Sequence, residues 1–126
     1  MKRFRLSAPR IKLSENDVER QCLDLLRLRG YYPLRLQSGL FKTKDDRHVR
    51  VGEPGLADYV VLHRTFPGFL MEVKRPGGKL STVQEKKFFE VQTNSIAWCA
   101  VDSYEYLMRW LYAHEKSKAG NSNPGL

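Results

Sequence analysis

Hydrophobic and polar positions follow several distinct periods along the chain. After Ser14, the apolar residues Val18, Cys22, Leu25 and Leu26 recur at helical spacing. Ser14 can cap the free backbone N–H groups, Glu15 and Asp17 favour the positive end of the helix dipole, and Gly30 suits the stop. The spacing predicts a helix over 15–29. Residues 31–37 alternate Leu34 and Leu36 with Arg35 after two tyrosines, a strand that Pro33 places near an edge or a strand start. Residues 38–56 are polar and rich in charge, a long loop with room for a short hairpin around Asp45-Asp46. Residues 58–62 (DYVVL) and 69–74 (FLMEVK) read as two strands coupled in a hairpin. Pro76-Gly77-Gly78 breaks the second strand. Ser81 then caps a helix with Gln84 at the capping-box position and Val83, Phe88 and Val91 along its apolar side. Residues 96–101 (IAWCAV) form another core strand. Ser103 caps a last helix with Tyr106, Leu107, Trp110 and Leu111 at helical spacing. No internal repeat is visible.

The predicted order is α-β-β-β-α-β-α. The strand–helix–strand unit at 69–101 implies a parallel pair with a right-handed crossover. The expected class is α/β, a small mixed β-sheet flanked by helices. The 126 residues suit one domain, expected over 15–115, after a basic arm at 1–14 and before a disordered tail at 116–126.

Composition narrows the function. No apolar run approaches the roughly 20 residues of a membrane helix, and the N-terminus lacks the apolar stretch of a signal peptide. The expectation is a cytoplasmic protein. Cys22 and Cys99 have neither zinc nor redox spacing and read as buried, reduced thiols. Net charge is +8, of which Lys2, Arg3, Arg5, Arg10 and Lys12 supply +5. A basic arm on a mildly basic domain suits a polyanion, nucleic acid first. An acidic membrane surface fits less well, because the arm is short of large apolar groups.

Glu72 and Lys74 lie two apart on a strand and so share a face, with Val73 turned to the other. An acid and a base on a core-type strand need a partner or a ligand. If 58–62 and 69–74 pair antiparallel, Asp58 at the start of one strand lies beside Glu72 and Lys74 at the end of the other. Two converging carboxylates suit Mg²⁺ or Mn²⁺, and a nearby lysine can hold an attacking water or steady a phosphate. The chemistry that fits is metal-assisted phosphodiester hydrolysis. The bland alternative is a surface Glu–Lys pair with Asp58 capping a turn. It is preferred for Glu-x-Lys alone, but not once Asp58 and the flanking glycine turns are added. Lone histidines are usually structural or exposed, and His48, His63 and His114 are assigned no ligand role.

Gly55-Leu56-Ala57-Asp58, Glu72-Val73-Lys74, and Gln84 following Gly78-Lys79-Leu80-Ser81 together resemble the VRR-NUC domain of the restriction-endonuclease-like PD-(D/E)xK superfamily. Glu19 stands where that family carries a further acid on its first helix, and Arg35-Leu36-Gln37-Ser38-Gly39 resembles the segment before its metal site. The resemblance spans roughly residues 15–111. It implies a restriction-endonuclease-like core and a metal held by Asp58, Glu72 and the Val73 backbone carbonyl. It also implies that Lys74 orients the water, that Glu19 holds a metal-bound water or second ion, and that Gln84 positions the water or the phosphate. On its own, Glu19 would more often be a solvated helix residue, and Gln84 could simply complete a capping box. Stand-alone domains of this kind are similar to Holliday-junction resolvases, are often phage-encoded, and act as homodimers on branched DNA.

Arg35, Lys42, Lys44, Arg47, Arg50, Lys79, Lys86 and Lys87 flank the expected site and are candidate phosphate contacts. The arm and the last helix, with Tyr104, Tyr106 and Trp110, are the candidate dimer surfaces. Two other readings stand beside the endonuclease: a non-catalytic nucleic-acid-binding module on the same fold, and a small interaction protein whose acids are surface decoration.

Overall fold

A computed structural model of the chain describes residues 12–37 and 39–120. Most of the basic arm, with Lys2, Arg3, Arg5 and Arg10, lies outside the described residues.

Helix α1 (Glu15–Leu28) begins at Ser14, whose hydroxyl accepts the Asp17 N–H while the Asp17 carboxylate accepts the Ser14 N–H. The helix stops at Gly30, whose φ of 83° is open to glycine and strained for other residues. Strands β1 (Tyr32–Arg35), β4 (Tyr59–Leu62), β5 (Phe69–Val73) and β6 (Ala97–Val101) form one sheet in the order β1-β4-β5-β6. The first two pairings are antiparallel, and β5 and β6 run parallel. Helix α2 (Thr82–Thr93) connects β5 to β6, and α3 (Tyr104–Gly120) follows β6. The molecule is therefore a small mixed sheet flanked by helices, with the antiparallel β4–β5 hairpin and the parallel crossover both where the sequence predicted them.

The polar segment between β1 and β4 holds the short hairpin for which the sequence left room around Asp45-Asp46: β2 (Gly39–Lys42) pairs with β3 (His48–Val51) as a separate two-stranded sheet. Its turn carries Asp46 at a φ of 61°, a left-handed position aspartate tolerates. Among the described residues these strands pack on no other helix or strand. The expected disordered tail begins too early: α3 continues through residues 116–120, because nothing there breaks a helix until the glycine. Residues 121–126 lie outside the described residues.

The core occupies one face of the sheet. Tyr59 and Val61 of β4, Phe69, Met71 and Val73 of β5, and Cys99 and Val101 of β6 meet Val18, Cys22 and Leu26 of α1 and Leu107 and Leu111 of α3. Burying each of the larger side chains contributes about 1.5–3 kcal/mol. Phe69 sits at the centre, its ring 4.6 Å from Trp110 and 5.8 Å from Tyr31. Trp110 is therefore part of this packing, whereas Tyr104 and Tyr106 are exposed. Cys22 and Cys99 are both buried as free thiols, and burial pushes Cys22 up to about 12. His114 stacks on Trp110 and reaches the Pro67 carbonyl, while His63 Nδ1 accepts the Thr65 and Phe66 N–H groups.

The opposite face is covered only in part. Helix α2 packs on β6, with Phe88 edge-on to Trp98 at 5.5 Å. It has no fully buried residue. Phe88 and Val91 are half-buried, but Val83, expected on the same side, is exposed. No described helix is long and apolar enough to cross a membrane.

Candidate metal centre

The β4–β5 ladder ends at the pair Tyr59 and Met71, so Asp58 stands opposite Glu72 one step beyond it. Directly opposed residues share a face, and here it is the partly covered one. Asp58 is held at both ends. Its Oδ2 accepts the Val73 N–H at 2.9 Å, and its carbonyl accepts the Leu36 N–H at 2.7 Å.

Glu72 is the exception in an otherwise apolar strand, and it is only 3% exposed. Its Oε1 accepts the Gln84 side-chain amide at 2.9 Å, and Lys74 Nζ lies 3.6 Å away. Its Oε2 is buried with no hydrogen-bond partner. Burial, followed by the negative charge of Asp58, pushes the Glu72 carboxyl up to about 7, and Lys74 offsets only part of this. A buried carboxylate beside a second one, with one oxygen free, is what a divalent cation would relieve. The donors are hard oxygens, as Mg²⁺ or Mn²⁺ prefers.

Gln84 does two things at once. Its Oε1 accepts the Ser81 N–H to close the capping box, and its amide donates to Glu72. Closing the cap therefore does not keep this side chain from Glu72. Lys74 is largely covered, and beside it opens a shallow cavity of about 280 Å³ that also touches Asp102 and Tyr106.

Glu19 does not join the group. Its carboxylate pairs with Arg35 at 3.2 Å, and the same guanidinium donates to the Tyr59 hydroxyl at 3.2 Å. Arg35 and Tyr59 are paired in register, one residue away from Asp58. A one-residue step along a strand reverses the face, so Glu19 is held on the α1 side. Among the described residues, no three of the His, Cys, Asp and Glu side chains cluster as a metal site. In this arrangement the Glu19 carboxylate is engaged by Arg35.

The eight basic residues divide. Arg35 is engaged by Glu19, Lys42 by Asp46 and Lys87 by Glu53 and Glu90. These three are ion-paired within the fold, although the Arg35 and Lys42 side chains remain mostly exposed. Lys44, Arg47, Lys79 and Lys86 are exposed and make no ion pair among the described residues. The side chain of Arg50 lies outside the described residues. Sequence reasoning passed over Arg75, which follows Lys74 and, with Lys12, Ser14 and Gly77, lines a groove of about 910 Å³. Its position one residue past the lysine, before the glycine turn, was the available signal.

A scan of the chain against protein-family models finds no match, and no curated protein sequence matches it.

Proposed function

We propose that this chain is a divalent-metal-dependent nuclease that hydrolyses DNA phosphodiester bonds, with Asp58, Glu72 and Lys74 at its centre. The observation that carries the proposal is the free, buried Oε2 of Glu72, facing a second carboxylate and a lysine at an open sheet end. Isolated buried charges are too costly to be kept without a ligand or a full set of partners.

Asp58 and Glu72 would hold Mg²⁺ or Mn²⁺, with the backbone carbonyl of Val73, next after Glu72, as a further donor. When bound, the metal supplies Lewis acidity and lowers the pKa of a water. The protein's own residues do the rest. Lys74 orients the attacking water and steadies negative charge on the phosphate. Gln84 fixes the Glu72 carboxylate through its amide, and the Val73 N–H fixes Asp58. Lys44, Arg47, Lys79 and Lys86, together with Lys12 and Arg75, are the candidate contacts to backbone phosphates.

The ordered set of Asp58, Glu72-Val73-Lys74 and Gln84 on a small mixed sheet favours a restriction-endonuclease-like core of the VRR-NUC kind. From that likeness follow the finer parts of the proposal: branched DNA as substrate and a homodimer as the working unit, acting in a bacterial or phage-infected cell. The test is cleavage of four-way junctions, flaps and plain duplex with Mg²⁺ or Mn²⁺. Wild type should cut at least one of them, and Lys74→Ala should cut at least about a hundredfold more slowly. Inactivity on all three, or full activity of Lys74→Ala, would sink the proposal. Light scattering that gave a monomer at micromolar concentration would remove the dimer alone.

A further inference from the structure

The two halves of the site come from different elements. Asp58 ends the return from the β2–β3 hairpin, whereas Gln84 belongs to the first turn of α2. Glu53 and Leu56 close a turn in that return, with the Leu56 N–H on the Glu53 carbonyl at 3.2 Å. Gly55 lies against α2 so closely that a Cβ on it would come 2.5 Å from the Val83 carbonyl oxygen. Its φ is 75°, which further restricts the position to glycine. One turn beyond Gln84, on the same side of α2, Lys87 bonds to Glu53 across the junction and to Glu90 within the helix. Only 13% of its side chain is exposed, although Glu53 and Glu90 are mostly in solvent. The lysine is therefore packed into the junction, and Glu53 closes over it.

We infer that Lys87, with Glu53, is a positioning residue: it clamps the turn before Asp58 onto α2 and so sets Asp58 against the Glu72–Gln84 pair. The inference rests on the metal-centre reading, but the clamp has a readout of its own. The Val73 N–H donates to the Asp58 carboxylate, so its exchange reports whether Asp58 is in place. Because the Glu53 carboxylate is mostly in solvent, the pair adds little to global stability. Loss of the clamp should thus loosen the site without unfolding the protein.

The experiment compares wild type with Lys87→Met, Lys87→Arg and Glu53→Gln. It uses Mn²⁺ titration by calorimetry without DNA, and amide exchange at Leu56 and Val73 by NMR. Lys87→Met should weaken Mn²⁺ binding by about tenfold to a hundredfold, as loss of an outer-shell support does, and speed exchange at both amides. Lys87→Arg should restore both, and Glu53→Gln should reproduce the loss should Lys87→Met fail to fold. Unchanged Mn²⁺ affinity with unchanged exchange at Val73 would overturn the clamp. If wild type binds no Mn²⁺, the metal-centre reading falls, and the two amides alone decide the clamp: faster exchange supports it and unchanged exchange overturns it.

Discussion

Strand β5 presents Phe69, Met71 and Val73 to one side of the sheet and Leu70 and Glu72 to the other, with Lys74 following. On the first side, two helices close over the strand and every one of those three residues is essentially dry. On the second, a single helix packs on β6 and reaches this strand through the Gln84 amide, and the strand carries a buried acid with a free oxygen. The contrast separates two uses of burial. Where both partners are apolar, water removal stabilises the fold. Where the buried group is ionisable and only partly matched, water removal destabilises the metal-free fold and prepares the group for a cation.

The largest test of the contrast is on the closed face. Phe69→Ala removes the ring packed against Tyr31 and Trp110 and should cost about 3–5 kcal/mol in urea unfolding. A loss under about 1 kcal/mol would show that this face is not the main store of stability.

Next comes pH on the open face. The Glu72 carboxyl is raised from 4.5 to about 7, so folding favours its protonated form. Its contribution is fully present below pH 4.5 and is lost as pH rises through 7. In EDTA, this group alone should lower stability by up to about 3 kcal/mol between pH 4.5 and 8, and Mn²⁺ at pH 8 should restore it. A flat profile that Glu72→Gln leaves unaltered would break the contrast.

Glu72→Gln is the more selective probe. It should stabilise the metal-free protein at pH 8 by about 1–3 kcal/mol, have little effect at pH 5, and abolish Mn²⁺ binding. Such a gain in stability with loss of binding is the reverse of Phe69→Ala. The smallest effects belong to the exposed cations. Lys79→Ala and Lys86→Ala should each leave stability within about 0.5 kcal/mol and reduce the salt dependence of DNA binding by about one phosphate contact.

Much of this organisation is legible in the sequence because it is local or periodic. The α1 stripe, the β5 alternation and the capping pair Ser81–Gln84 each lie within a few residues; the hairpin pattern put Asp58 beside Glu72 and Lys74, and Gln84 joined them only through the resemblance. What was not legible depends on partners distant in sequence. Glu19 looked free because the register that brings Arg35 and Tyr59 beside it is a tertiary fact. Lys87 read as a phosphate contact because Glu53, 34 residues earlier, comes to it only in the fold. The strands β2 and β3 were legible only as room for a short hairpin around Asp45-Asp46, because charged residues crowd around Phe41 and Val49, and neither apolar residue has a core to fill.

That hairpin has a consequence for how the molecule can change. Its chain leaves β1 after Arg35 and re-enters at Asp58, and the bond from the Leu36 N–H to the Asp58 carbonyl ties the two ends together. Lengthening such a closed excursion costs only about 0.6 kcal/mol per doubling, and its strands give the frame nothing to lose. Residues 39–51 are thus an interchangeable cassette: the hairpin should tolerate extension, trimming or exchange as long as the turn at Glu53–Leu56, which lies against α2 ahead of Asp58, is kept.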